Sequence, residues 1–133
     1  MRRGRGELDA AAADLERAAS LSPSCFWILG WRGELKAARG DAKGGLADLE
    51  RALAGHPRWA QAWTWTGRAR AESGDEAGAL AAYDAALAVE PNEVWALIGR
   101  GVCLEKAGRA REAAAALARA RELAPALFEN RGA

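Results

Sequence analysis

The sequence predicts a single all-α domain spanning residues 1–133, a right-handed solenoid of helix-turn-helix units, and three observations carry that prediction. The four prolines, Pro23, Pro57, Pro91 and Pro125, recur at a constant spacing of 34 residues. Two sets of glycines keep the same period: Gly33, Gly67 and Gly101, then Gly40, Gly74 and Gly108. Half the residues are hydrophobic, and alanine supplies much of that half while Val, Ile, Phe and Tyr are scarce. Alanine is the best helix former, and β-branched residues favour strands. A fixed period of this size marks a repeat architecture, in which each unit buries its apolar face on the next.

The units divide the chain into a leading second-type helix over 7–22, repeats over 26–59, 60–93 and 94–127, and the start of a further helix over 128–133. The leading segment places Leu8, Ala11, Leu15 and Ala18 on one apolar face, with no first helix before it. Residues 26–39 lack proline and run into Gly40, which suits a left-handed C-terminal cap. Asp41 then caps a second helix that ends near Gly55, before Pro57. Gly74-Asp75 repeats that grammar and its helix ends at Glu90-Pro91, whereas Gly108-Arg109 lacks the acidic cap. In the second repeat Ala79, Leu80, Tyr83, Ala86 and Leu87 form one apolar stripe at helical spacing. Gly67 and Ala79 are small enough for close helix approach, with Trp63 and Tyr83 filling the remaining space. Phe128, Glu129, Asn130 and Arg131 align with a first helix. An array that begins and ends on partial units is expected to be a piece of a longer one, or to associate through its ends.

Trp63, Gly67, Ala79, Tyr83, Ala86 and Pro91 together resemble the tetratricopeptide repeat signature. Leu29, Gly33, Gly45, Leu49, Ala52 and Pro57 follow it in the first repeat, and Leu97, Gly101, Ala113, Leu117, Ala120 and Pro125 in the third. The chain departs from the family where leucine is usual, with Arg32, Thr66 and Arg100, and at a later aromatic place, with Lys36, Arg70 and Leu104. The resemblance covers residues 6–125 and implies a non-catalytic scaffold that holds a peptide or a helix of another protein in a concave groove.

Composition narrows the function further. Nineteen basic against eighteen acidic residues leave a formal charge of +1, which gives no general attraction to nucleic acid or to an anionic membrane. No window approaches the roughly 18 apolar residues of a membrane span. Cys25 and Cys103 lie far apart with no metal-ligand spacing, so a reduced, cytoplasmic setting is expected, with no metal and no cofactor. His56 is the sole histidine and precedes a repeat proline, as a surface turn residue does. Gly40 to Gly45, GDAKGG, lacks the Gly-Lys-Ser/Thr order of a phosphate loop. Asp48 and Glu50 sit among arginines in the pattern of a solvated face. No catalytic residue is expected.

What remains is surface. Leu29/Gly33, Trp63/Gly67 and Leu97/Gly101 define the packed face of the first helices, and two residues further is about 200° around a helix. The opposite face therefore carries Trp27 and Trp31, Gln61 and Trp65, then Trp95 and Gly99, with Glu34, Arg68, Glu72, Glu105 and Lys106 on the same side. Either these rings face a groove, or neighbouring repeats bury them laterally. Trp59 has no assigned face. Family members that bind chaperone tails clamp a terminal carboxylate with inner-face lysine, asparagine and arginine. Gly30, Glu34, Trp65, Trp95 and Gly99 stand at those places here, so the resemblance implies no such clamp. The expected partner is a protein or peptide ligand, the alternative being end-to-end self-association as a structural module.

Overall fold

A computed structural model describes residues 5–129, and every regular element among them is helical. The order is α1 (Arg5–Leu21), α2 (Phe26–Ala38), α3 (Ala42–Gly55), α4 (Ala60–Glu72), α5 (Glu76–Val89), α6 (Val94–Lys106) and α7 (Ala110–Leu123), then a 3-10 turn at Pro125–Leu127. The expected leading helix is present as α1, whose Ala11, Leu15 and Ala18 are half-buried and whose Ala19 is buried. The side chain of Leu8 lies outside the described residues. Phe128 and Glu129 form a turn, and the rest of the helix expected over 128–133 lies outside them too.

The 34-residue period is a period of helix termini. Gly40, Gly74 and Gly108 have φ of 97°, 87° and 80°, a left-handed conformation that glycine adopts without a Cβ penalty. Each closes its helix with paired backbone bonds, such as Gly40 N–H to Ala37 at 3.0 Å and Asp41 N–H to Lys36 at 2.8 Å. Asp41 and Asp75 then accept from the Gly44 and Gly78 amides at 2.9 Å, capping α3 and α5. Arg109 offers α7 no side-chain cap and instead pairs with Glu112.

Helix pairs α2–α3, α4–α5 and α6–α7 stack in chain order, with α1 against α2. The first helices also touch their own kind, α2 on α4 and α4 on α6. Among the described residues the second helices α3, α5 and α7 do not touch one another. The array is therefore tighter along the first helices, which makes their free side the inner, concave one.

Two apolar groups form the core, Leu29, Leu49, Ala52, Leu53, Trp59 and Ala62 around α2–α4, and Ala79, Tyr83, Ala86, Ala96 and Cys103 around α5–α6. Trp63 bridges them but stays half-buried, because its indole N–H reaches outward to the Pro57 carbonyl at 2.8 Å. The fully buried tryptophan is Trp59, at 8% exposure. Its ring lies over Gly30 of α2, where any Cβ would overlap it. Tyr83 is held likewise: a Cβ on Gly67 would stand 2.6 Å from its ring, and one on Gly99 would overlap it.

Asp48 corrects the expectation of a solvated carboxylate. It is buried, and Arg32 donates to both its oxygens, at 2.7 and 2.8 Å, while Lys36 stands 3.1 Å away. Burial alone pushes the carboxyl pKa up, but the hydrogen bonds from Arg32 and Lys36 outweigh it and hold the group below its ordinary range. The polar departures at Arg32 and Lys36 are thus matched by a third polar residue.

Candidate functional site: the aromatic concave face

The concave side of α2 and α4 presents a continuous run of rings. Trp27 meets Trp59 at 4.5 Å between centroids and 61° between planes, an edge contact. Trp59 in turn meets Trp65 at 5.5 Å, and Trp65 meets Trp31 at 4.8 Å. Such offset and edge geometries suit the aromatic quadrupole. At the end of the run Phe26 stacks on His56 at 4.9 Å and 28°, so the lone histidine is an aromatic packing partner. Trp59 forms the buried base of the run, a role the sequence had left open.

Trp27 and Trp31 are each 46% exposed, Trp95 on α6 is 57% exposed, and Trp65 is half-buried. Lateral burial between repeats therefore does not hide the row. Gln61, Trp65, Arg68 and Trp95 converge on a cleft of about 320 Å³ between α4 and α6. Gly99, expected on the same face, lines it too, as does Tyr83, which was expected only as packing; Thr64, Glu93 and Ile98 complete the lining and were not singled out from sequence. Glu34 lies beside the cleft and accepts from Arg68 at 2.5 Å, an ion pair between neighbouring first helices. Glu72 and Glu105 are exposed and outside the cleft lining. Lys106 points to the outer layer, where its ammonium is 3.5 Å from Glu76 of α5.

Glu93 is the contact that sequence spacing missed. Its carboxylate accepts from the Thr64 hydroxyl, across two helices, and from the Trp95 amide at 3.3 Å. Glu93 occupies the repeat place of Trp59, and Thr64 that of Gly30. The same junction is filled by a ring over a glycine in one repeat and by a hydrogen bond in the next. Comparing those two columns as a pair is the signal that would have found it.

Tyr83 is pushed up to about 12 by burial first, so its hydroxyl stays protonated across the physiological range. Cys103 is raised above the ordinary thiol value by burial and by Glu76, which keeps it from being a ready nucleophile. Among the described residues no group of three or more His, Cys, Asp or Glu gathers as metal ligands would. No helix there is long and apolar enough to cross a membrane.

Stacked helix pairs with a ring-lined inner face define a helical-repeat interaction scaffold. Two family models described as tetratricopeptide repeat match the chain, over residues 32–93 and 70–127. The chain belongs to the tetratricopeptide repeat family. Its fold is similar to that of MamA: one crystal structure superposes with a TM-score of 0.80 at 20% identity, covering 93% of this chain and 72% of that one. MamA 41-end from Desulfovibrio magneticus RS-1 matches at 0.80 and 20%, over 94% and 70% of the two chains. MamA AMB-1 in a P212121 crystal matches at 0.77 and 22%, over 89% and 70%. At such identity the likeness concerns the fold alone. A search of curated protein sequences finds no match.

Proposed function

We propose that the concave face of α2, α4 and α6 binds a peptide or a helix of a partner protein, with no catalysis. One observation carries this reading: Trp27, Trp31 and Trp95 leave about half their surface exposed along a single face. Exposed tryptophan is costly in water and rewarding in an interface, since it buries a large rigid area and keeps one donor. Apolar side chains of the ligand would lie against the rings, with Arg68, Glu34 and Gln61 setting register. Glu72, Glu105 and Lys106 belong to the rim of that surface in this reading, not its centre.

A displayed library of random 12-residue peptides tests it. Selected binders should lose affinity by tenfold or more, about 1.4 kcal/mol, on Trp31→Ala or Trp95→Ala. Arg111→Ala on the outer helix α7 should leave them unchanged. Binders indifferent to both tryptophans would end the groove reading.

A second reading has its own observation. Val102 of α6 occupies the repeat place of Glu34 and Arg68, yet it is 42% exposed where a further first helix would lie. A second copy docking there would extend the array end to end. Sedimentation across a hundred-fold concentration range checks this: growth in mass abolished by Val102→Lys supports stacking, and a constant monomer excludes it.

A further inference from the structure

We infer that the cleft between Trp65 and Trp95 receives a basic side chain of the bound segment, arginine above all. The inference rests on the groove reading and adds to it the chemistry of one subsite.

The shape comes from an interrupted column. Trp31 and Trp65 occupy one repeat place and lie 4.8 Å apart, and the third member of that place is Gly99. Where a third ring would have followed, there is an opening, with the ring of Tyr83 packed against Gly99 at its floor. Trp95 stands on the other side. A volume of about 320 Å³ is at the low end of ligand sites, which run from about 300 to 1,000 Å³. That is room for one long side chain. Ring faces carry negative quadrupole potential, so such walls attract a cation and repel a carboxylate.

Formal charge points the same way. Arg68 lines the cleft but is already paired with Glu34 at 2.5 Å. Glu93 is not so matched. Its oxygens meet the Thr64 hydroxyl and the Trp95 amide, both neutral, and among the described residues no lysine or arginine pairs with it. An aromatic ligand side chain would fill the space and strip water from Glu93 without replacing it, which is unfavourable. A guanidinium does both tasks: its plane stacks on indole while its N–H groups donate to the carboxylate. Lysine supplies the charge without the planar fit, so it ranks second.

The test uses peptides selected on the wild-type protein from a random 12-residue library. They should share an arginine at one place. Replacing it by norleucine, or making Glu93→Gln in the protein, should each weaken binding about tenfold, and the two together little more than either alone. Glutamine keeps one oxygen to accept from the Trp95 amide, and its NH2 can donate to the Thr64 hydroxyl while that hydroxyl donates to the Ala60 carbonyl; an unchanged melting curve verifies that the variant folds. Peptides that share no basic residue, yet still depend on Trp31 and Trp95, would overturn this inference and leave the groove reading standing. A shared acidic residue whose effect vanishes in Arg68→Gln would overturn it in favour of an anion subsite. Peptides insensitive to every concave tryptophan would overturn both.

Discussion

Trp59, Trp63 and Trp65 lie within one short stretch, yet their surroundings assign them three different tasks. Trp59 is almost wholly buried over Gly30, so Trp59→Ala opens a cavity and should cost about 3–5 kcal/mol in urea titration. Trp63 is half-buried and hydrogen-bonded to Pro57, so its truncation should cost less, about 2 kcal/mol. Trp65→Ala should cost least of the three and act mainly on ligand affinity. This order departs from the sequence expectation, which made Trp63 the core residue because it shares a place with Leu29 and Leu97. An indole is longer than leucine, and its N–H needs a partner when enclosed. Turning toward Pro57 satisfies that donor and leaves the ring part-exposed. Gly67 gives a sharper check on packing. Gly67→Ala should lose about 1–3 kcal/mol against the Tyr83 ring despite the better helix propensity of alanine. Gly6→Ala in α1, which meets nothing within 4 Å, should be neutral or stabilising. Gly78→Ala should be destabilising, because a Cβ there would overlap the Asp75 carboxylate that caps α5.

At the scale of elements, the α2–α3 pair is held by the set Arg32, Asp48 and Lys36 in addition to apolar contact. Removing Asp48 alone leaves Lys36 beside Arg32, both half-buried, with only Glu16 still pairing Arg32 at 3.0 Å, and Asp48→Ala should cost about 1–3 kcal/mol. The second repeat holds Thr66 and Ala82 at the places of Arg32 and Asp48, and both are buried. Importing that solution with Arg32→Thr and Asp48→Ala together should recover part of the loss, a non-additivity that a double-mutant cycle measures. The pH dependence follows from the depressed carboxyl. Its folded pKa lies below the unfolded value of about 3.9, so the contribution is complete above that value and is lost as pH falls through the folded one. Acid unfolding below about pH 4 should therefore be less steep in Asp48→Asn than in wild type. Helix existence and ends were legible in the sequence, because Gly40, Gly74, Asp41, Asp75 and the prolines act on their own backbone neighbours. The burial of Asp48 was not, since an Arg-flanked carboxylate has the same local pattern whether it faces water or a neighbouring helix. Its column partners Ala82 and Ala116, small and buried, were the available sign.

At the scale of the whole molecule, curvature follows from the first helices touching one another while the second helices do not, and it gathers widely separated rings on one face. The row Trp27, Trp31, Trp65 and Trp95 was legible because helical geometry sets its members opposite the packed face. The cleft was legible only in part. Gln61, Trp65, Arg68 and Trp95 could be chosen on one helix at a time, whereas Thr64 with Glu93 and Gly99 with Tyr83 are pairs between repeats. Their meeting depends on how one unit rotates onto the next, which no single helix encodes. Nuclear magnetic resonance reads ligand binding on the concave face ring by ring, because each of the six tryptophans contributes one indole N–H signal. Single substitutions assign the signals, and a library-selected 12-residue peptide is then titrated in. Binding on the concave face should shift Trp31, Trp65 and Trp95 and protect them from solvent, while Trp63, bonded to Pro57 on the far side of α4, stays in place. Saturable binding that moves Trp63 and leaves the other three unmoved would contradict it.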